Sequence, residues 1–119
     1  MNVAVIGASD KPDRYSYKAV MLLKEKGHMV FPVHQRVKKI EGTAVYPSIQ
    51  DISEPIDTVS VYVAADVSDA IGDDILARKP RRIIFNPGAE NPSLREKARQ
   101  LGIVPVEACT LVMLKTGQF

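Results

Sequence analysis

Three short stretches carry side chains that could do chemistry. The first is "VAVIGAS" (3–9), where an apolar run stops at Gly7 and passes into Ala8 and Ser9. A glycine at a strand end lets the backbone turn sharply and lets a ligand approach it closely. Ser9 adds a hydroxyl, and free N–H groups at the start of a following helix attract anions. That chemistry is phosphate binding; the plainer alternative is that Gly7 ends a strand and Ser9 caps a helix. The second stretch is "FPVHQRVKK" (31–39), which places His34 and Arg36 behind Pro32 and Val33, with Lys38 and Lys39 beyond. The third is "NPGAEN" (86–91). There the Asn86 amide and the backbone after Pro87 and Gly88 offer polar contacts, or else form a turn that leads to an Asn91 helix cap.

No catalytic set accompanies these groups. Cys109 is the single cysteine, so no disulfide framework exists. It reads either as a thiol able to form a mixed disulfide with a thiol ligand or as a small buried residue. Glu107 beside it is a lone carboxylate. His28 and His34 are the only histidines and have no partner at metal spacing, so no metal is expected. A net charge of +2 is too weak a basic signal to argue for nucleic acid. No apolar run is long enough for a membrane span. Met1 leads straight into "NVAVIG", which leaves no room for a leader. A cytoplasmic protein is the resulting expectation, and its 119 residues suit one domain, 1–119, with one core.

The elements that must position these groups follow from hydrophobic period. "VAVIG" is a buried strand. Ser16, Ala19, Val20 and Leu23 fall on one stripe of a helix that Gly27 stops. "MVFPV" (29–33) is the second strand, with Pro32 marking where it leaves the sheet. An edge strand is expected around Thr43–Tyr46, then a capped turn from Ser48 to Asp51. "DTVSVYV" (57–63) is the fourth strand, 66–78 is one helix carrying Val67, Ile71 and Ile75, and "RRIIFN" (81–86) is the fifth strand. Asn91 caps a helix whose face is Leu94, Ala98 and Leu101. "IVPVEA" and "CTLVMLK" supply a last strand and a short last helix.

Strands alternating with helices give an α/β fold, a doubly wound Rossmann-like parallel sheet with helices on both faces. The expected order is 3-2-1-4-5 plus one further strand. Its ligand crevice opens at the carboxyl ends where the order reverses, between Gly7-Ala8-Ser9 and Val63-Ala64, with Asn86-Pro87-Gly88 next door. A dinucleotide site would place further glycines where Asp10 and Pro12 stand, and an acid at the end of strand two. His34 and Arg36 stand there instead, which suits a phosphorylated ribose and leaves NADP or coenzyme A (CoA) ahead of NAD.

The ordered segments "VAVIGASDKPDRYSYKAVMLLKEKGHMVFPV", "IEGTAVYPSIQDI", "EPIDTVSVYV" and "NPGAEN" resemble the small stand-alone CoA-binding domain proteins. These are similar to the amino-terminal CoA-binding domain of the succinyl-CoA synthetase alpha subunit. The resemblance covers nearly the whole chain. It implies that Gly7, Ala8 and Ser9 hold the cofactor's phosphates, that Pro32 and Val33 border its adenosine, and that Val63 and Ala64 line its pantetheine arm. Where the family pattern reads Val-Asn-Pro-Lys, this chain has Val33-His34-Gln35-Arg36, and Arg36 keeps the charge. The expected function is non-catalytic binding of CoA or an acyl-CoA, as carrier, sensor or subunit, with a protein partner possible. The alternatives are an NAD(P)-binding oxidoreductase-like domain and a ligand-free interaction module that partners a larger enzyme.

Overall fold

Along the first strand, β1 (Asn2–Ile6), Val3 and Val5 point to one face and Ala4 and Ile6 to the other, and all four are buried. A strand buried on both faces belongs in the middle of a parallel sheet. The computed structural model, which describes residues 1–119, puts it there. β1 pairs in parallel with β2 (Met29–Val33) on one side and β5 (Thr58–Val61) on the other. β6 (Arg82–Phe85) and β7 (Val104–Glu107) extend the sheet to the order β2-β1-β5-β6-β7.

The two faces are covered separately. α1 (Tyr15–Glu25) lays Ser16, Ala19, Val20 and Leu23 on the sheet, the same four residues that share its sequence stripe. With Val3, Val5 and Leu114 of α5 (Thr110–Lys115), Val20 and Leu23 form the smaller core. Full burial of a Val or Leu side chain is worth about 1.5–3 kcal/mol, so this stripe holds α1 in place despite its uncapped start at Arg14. The larger core lies on the opposite face. It joins Ala4, Ile6, Val59 and Phe85 to helices α3 (Gly72–Ala77) and α4 (Pro92–Gln100), and the short helix α2 (Ala65–Ala70) packs against these two helices.

Four expectations are corrected. The segment 66–78 is two short helices joined at Ile71, not one. The edge strand does not join the sheet. Thr43–Ala44 (β4) pairs antiparallel with Lys39–Ile40 (β3) and meets β2 only through a bridge between Val33 and Tyr46. Pro32 stays within β2, opposite Val5, because β2 is an edge strand and an edge spares the missing N–H. Leu101 is 64% exposed, since α4 ends at Gln100 and Leu101 only caps it. The two helix starts read from sequence are present. Ser48 and Asp51 form a reciprocal capping box on the turn Ile49–Asp51. The Asn91 side chain accepts the Leu94 N–H, with Pro92 in the first turn.

Candidate functional site

Gly7 leaves β1 with φ +83°, a conformation that favours glycine. Its N–H and that of Ala8 both donate to the Val33 carbonyl, at 3.1 and 3.2 Å. The β1 and β2 ends are thereby tied together, and the backbone donors of Gly7 and Ala8 are committed. The free donors of the first turn therefore begin at Ser9. The Ser9 hydroxyl accepts the Lys11 N–H at 3.1 Å, so it shapes its own loop and does not cap α1. α1 starts only at Tyr15, and the N–H groups of Tyr15, Ser16 and Tyr17 donate to no protein acceptor. These are the usual orphan donors of a helix start.

A cleft of about 420 Å³ opens at the carboxyl ends of β1, β2 and β5. One wall is formed by Ile6, Val33 and Ile49, the other by Val63, Val67 and Ile71. Gly7, His34 and Arg36 complete it on the strand side. It thus brings together Gly7, Val33, His34, Arg36 and Val63 from the sequence expectations. Pro32 is buried beneath it within β2. Arg36 forms none of the ion pairs of the molecule, which leaves its charge uncompensated beside the cleft.

The cleft has residues that periodicity misassigned. Val67 is 46% exposed because the stripe Val67, Ile71 and Asp74 faces the cleft, while Ile75 turns into the core. Asp74 therefore lines the cleft, and its Oδ1 accepts from the Gln50 amide at 2.6 Å. The signal was present as the i, i+4, i+7 run from Val67, but Val67 and Ile71 read with Ile75 as one helix stripe, and Asp74 was not read with them. The Pro47–Ile49 wall had no sequence signal, since it reaches the cleft only through the Val33–Tyr46 bridge.

Other expected residues lie apart from the cleft. Asn86 is 1% exposed. Its amide nitrogen donates to Ser60 Oγ and the Val61 carbonyl, and its Oδ1 accepts the Thr110 N–H at 2.8 Å. Pro87 and Gly88 form an exposed turn, and Ala64 is the exposed residue that precedes α2. Cys109 precedes α5, half-buried. Near it the Tyr62 hydroxyl is buried without a partner, and burial pushes the phenol up to about 12. No group of three or more His, Cys, Asp or Glu side chains converges to hold a metal, and no helix is long and apolar enough to cross a membrane.

Comparison with known proteins places this arrangement among relatives. The family model described as "CoA binding domain" matches residues 1–115. A crystal structure of an uncharacterized protein superposes with a TM-score of 0.94 at 37% identity, covering 99% of this chain and 97% of the other. A hypothetical protein from Pyrococcus horikoshii OT3 gives a TM-score of 0.90 at 25% identity, covering 96% of this chain and 81% of that one. The alpha subunit of ADP-forming acetate–CoA ligase II from Pyrococcus furiosus is 36% identical over 62 residues, 51% of this chain and 14% of the subunit. The protein YneT of Bacillus subtilis is 28% identical over 74 residues, 62% of this chain and 55% of that protein. The chain thus spans at most about half the length of these two curated relatives.

Proposed function

Because the chain belongs to the CoA binding domain family, we propose that it binds coenzyme A or an acyl-CoA at the carboxyl ends of β1, β2 and β5, as a carrier, sensor or subunit. The observation that carries this reading is the end of β2. There an unpaired Arg36 stands at the edge of an apolar slot where a dinucleotide site would place an acid.

The residues present suit such a ligand. The slot lies within the size range of small-molecule sites, and its two apolar walls can sandwich a flat base. The missing side chain of Gly7 lets Val63 pack against the end of β1, and Val63 thereby forms part of the slot's apolar lining. Ser9, and the free N–H groups at the start of α1, are the donors that would take the pyrophosphate. Arg36 would take the ribose phosphate by a charge-assisted contact. Val63 and Ala64 border the path of the pantetheine arm. Bound CoA supplies a thiol that carries an acyl group as a thioester. The chain's own residues bind and orient: the guanidinium faces the cleft, the imidazole is committed to backbone, and the carboxylate is held by Gln50. We read the chain as a binding module on that basis.

A ligand panel tests this. Thermal melting and calorimetry are run with CoA, dephospho-CoA, acetyl-CoA and NADPH at up to millimolar concentration. CoA is expected to raise the melting temperature more than dephospho-CoA does. No response to CoA overturns the reading. A larger response to NADPH favours a nicotinamide site, and a fixed protein partner that copurifies without cofactor favours an interaction module.

A further inference from the structure

The turn that carries Arg36 is held by one imidazole. His34 Nδ1 accepts the Arg36 N–H at 3.0 Å and the Val37 N–H at 3.1 Å. These are the only hydrogen bonds made by residues 35–37, whether through backbone or side chain. The anchor itself is fixed: the His34 N–H donates to the Tyr46 carbonyl at 3.0 Å, and the Tyr46 N–H donates to the Pro32 carbonyl at 2.9 Å. The ring thus reaches forward from a pinned backbone and folds the next residues over the cleft. An Asn side chain makes the same local turn through its Oδ1.

Accepting two N–H donors requires a lone pair on Nδ1. That fixes the neutral tautomer with its proton on Nε2. Protonating the ring turns Nδ1 into a donor that faces two donors, which ejects it from the turn. We propose that His34 is a positioning residue: its neutral imidazole sets the place of Arg36 at the cleft, so that ligand binding falls as His34 is protonated. This rests on the CoA-binding reading above and adds a pH dependence to that same site.

The charges around the ring act in both directions. Arg36, Lys38 and Lys39 in its own segment oppose a second cation, while Asp74 across the cleft from α3 favours one. The β1 end contributes Ile6 and Gly7, and the segment from Tyr46 to Ile49 contributes no formal charge at neutral pH. A bound phosphate would attract imidazolium directly, so the sign of the pH effect separates positioning from direct contact.

The experiment is calorimetric titration of CoA into wild type, His34→Asn and His34→Ala at pH 8 and pH 5.5, with melting curves confirming that each variant is folded. Wild type is expected to bind about tenfold more weakly at pH 5.5, with His34→Asn within about threefold of wild type at pH 8. The phosphates of CoA also titrate, but equally for both proteins. The wild-type loss should therefore exceed that of His34→Asn. His34→Ala should be weaker at both pH values and should show no loss beyond that of His34→Asn. In the ligand-free protein, imidazole NMR shifts should report the Nε2–H tautomer at pH 8. Matching pH profiles for wild type and His34→Asn, tighter His34-dependent binding at pH 5.5, or an Nδ1–H tautomer overturns the inference alone. No CoA binding by wild type at pH 8 overturns the proposed function and this inference with it.

Discussion

Gly7 and Val63 meet across the β1–β5 crevice so closely that a Cβ on Gly7 would lie 2.7 Å from Val63 Cγ1. Two separate constraints thus act on one residue, since the Gly7 backbone also sits at φ +83°. Gly7→Ala is expected to cost roughly 1–2 kcal/mol from the left-handed backbone, plus the displacement of a β-branched side chain with few rotamers. Val63 lines the cleft, so CoA affinity should fall as well. Thermal melting and calorimetry on Gly7→Ala and on the double variant with Val63→Ala separate the two terms. The double variant should show no clash between the two positions but keep the backbone strain. Wild-type stability in Gly7→Ala would show that neither constraint holds.

Arg36 has no protein counter-ion, so its charge is available to a ligand phosphate. A charge-assisted hydrogen bond is worth about 1.5–3 kcal/mol. Arg36→Ala should weaken CoA by about tenfold or more and leave dephospho-CoA nearly unchanged in the same titration. Equal weakening of both ligands would place the ribose phosphate elsewhere.

Asn86 acts through the frame. Its amide ties β5 to the start of α5, with partners at 2.8–3.0 Å. Asn86→Ala leaves the Thr110 N–H without a partner, while the Val61 carbonyl keeps the backbone N–H of residue 86, at a cost of roughly 1–3 kcal/mol. Denaturant titration should show that loss, while CoA affinity of the folded protein stays within about threefold. A large loss of affinity at unchanged stability would instead make Asn86 a ligand contact.

Asp57 gives the chain an acid-sensitive joint below the sheet. Burial alone would raise its carboxyl, but hydrogen bonds from Arg81 and Thr58 and the charges of Arg81 and Arg82 outweigh it and hold the group below its ordinary value. A depressed carboxylate contributes stability that is present above its unfolded value, near ~3.9, and is lost as pH falls through the folded value. Wild type should therefore lose stability over that acid range. Asp57→Asn should lose less there and be less stable near neutrality. Parallel stability–pH curves would show that the pairing contributes nothing.

Local pattern determined much of this protein. The apolar strand pattern of Val3–Ile6, the α1 stripe from Ser16 to Leu23, the Ser48 and Asn91 caps and the glycine at the end of β1 are all legible from residues a few positions apart. The strand–helix alternation then left few ways to wind the sheet. The family resemblance was legible for the same reason, because its motifs sit at strand ends.

What the tertiary structure alone decided are relationships between distant segments. Periodicity put Val67 and Asp74 on a helix, but a helix face can look toward solvent or toward a cleft, and only the packing of α2 and α3 beside β5 gave them a cleft to line. Asn86 looked like a loop amide open to ligand until Ser60, Val61 and Thr110, each more than 20 residues away, closed around it. The Gly7 and Ala8 N–H groups looked free for a phosphate until Val33 of the neighbouring strand took both. Sequence fixes a group's own hydrogen-bonding capacity; which partner satisfies it depends on chain segments that only folding brings within 3 Å.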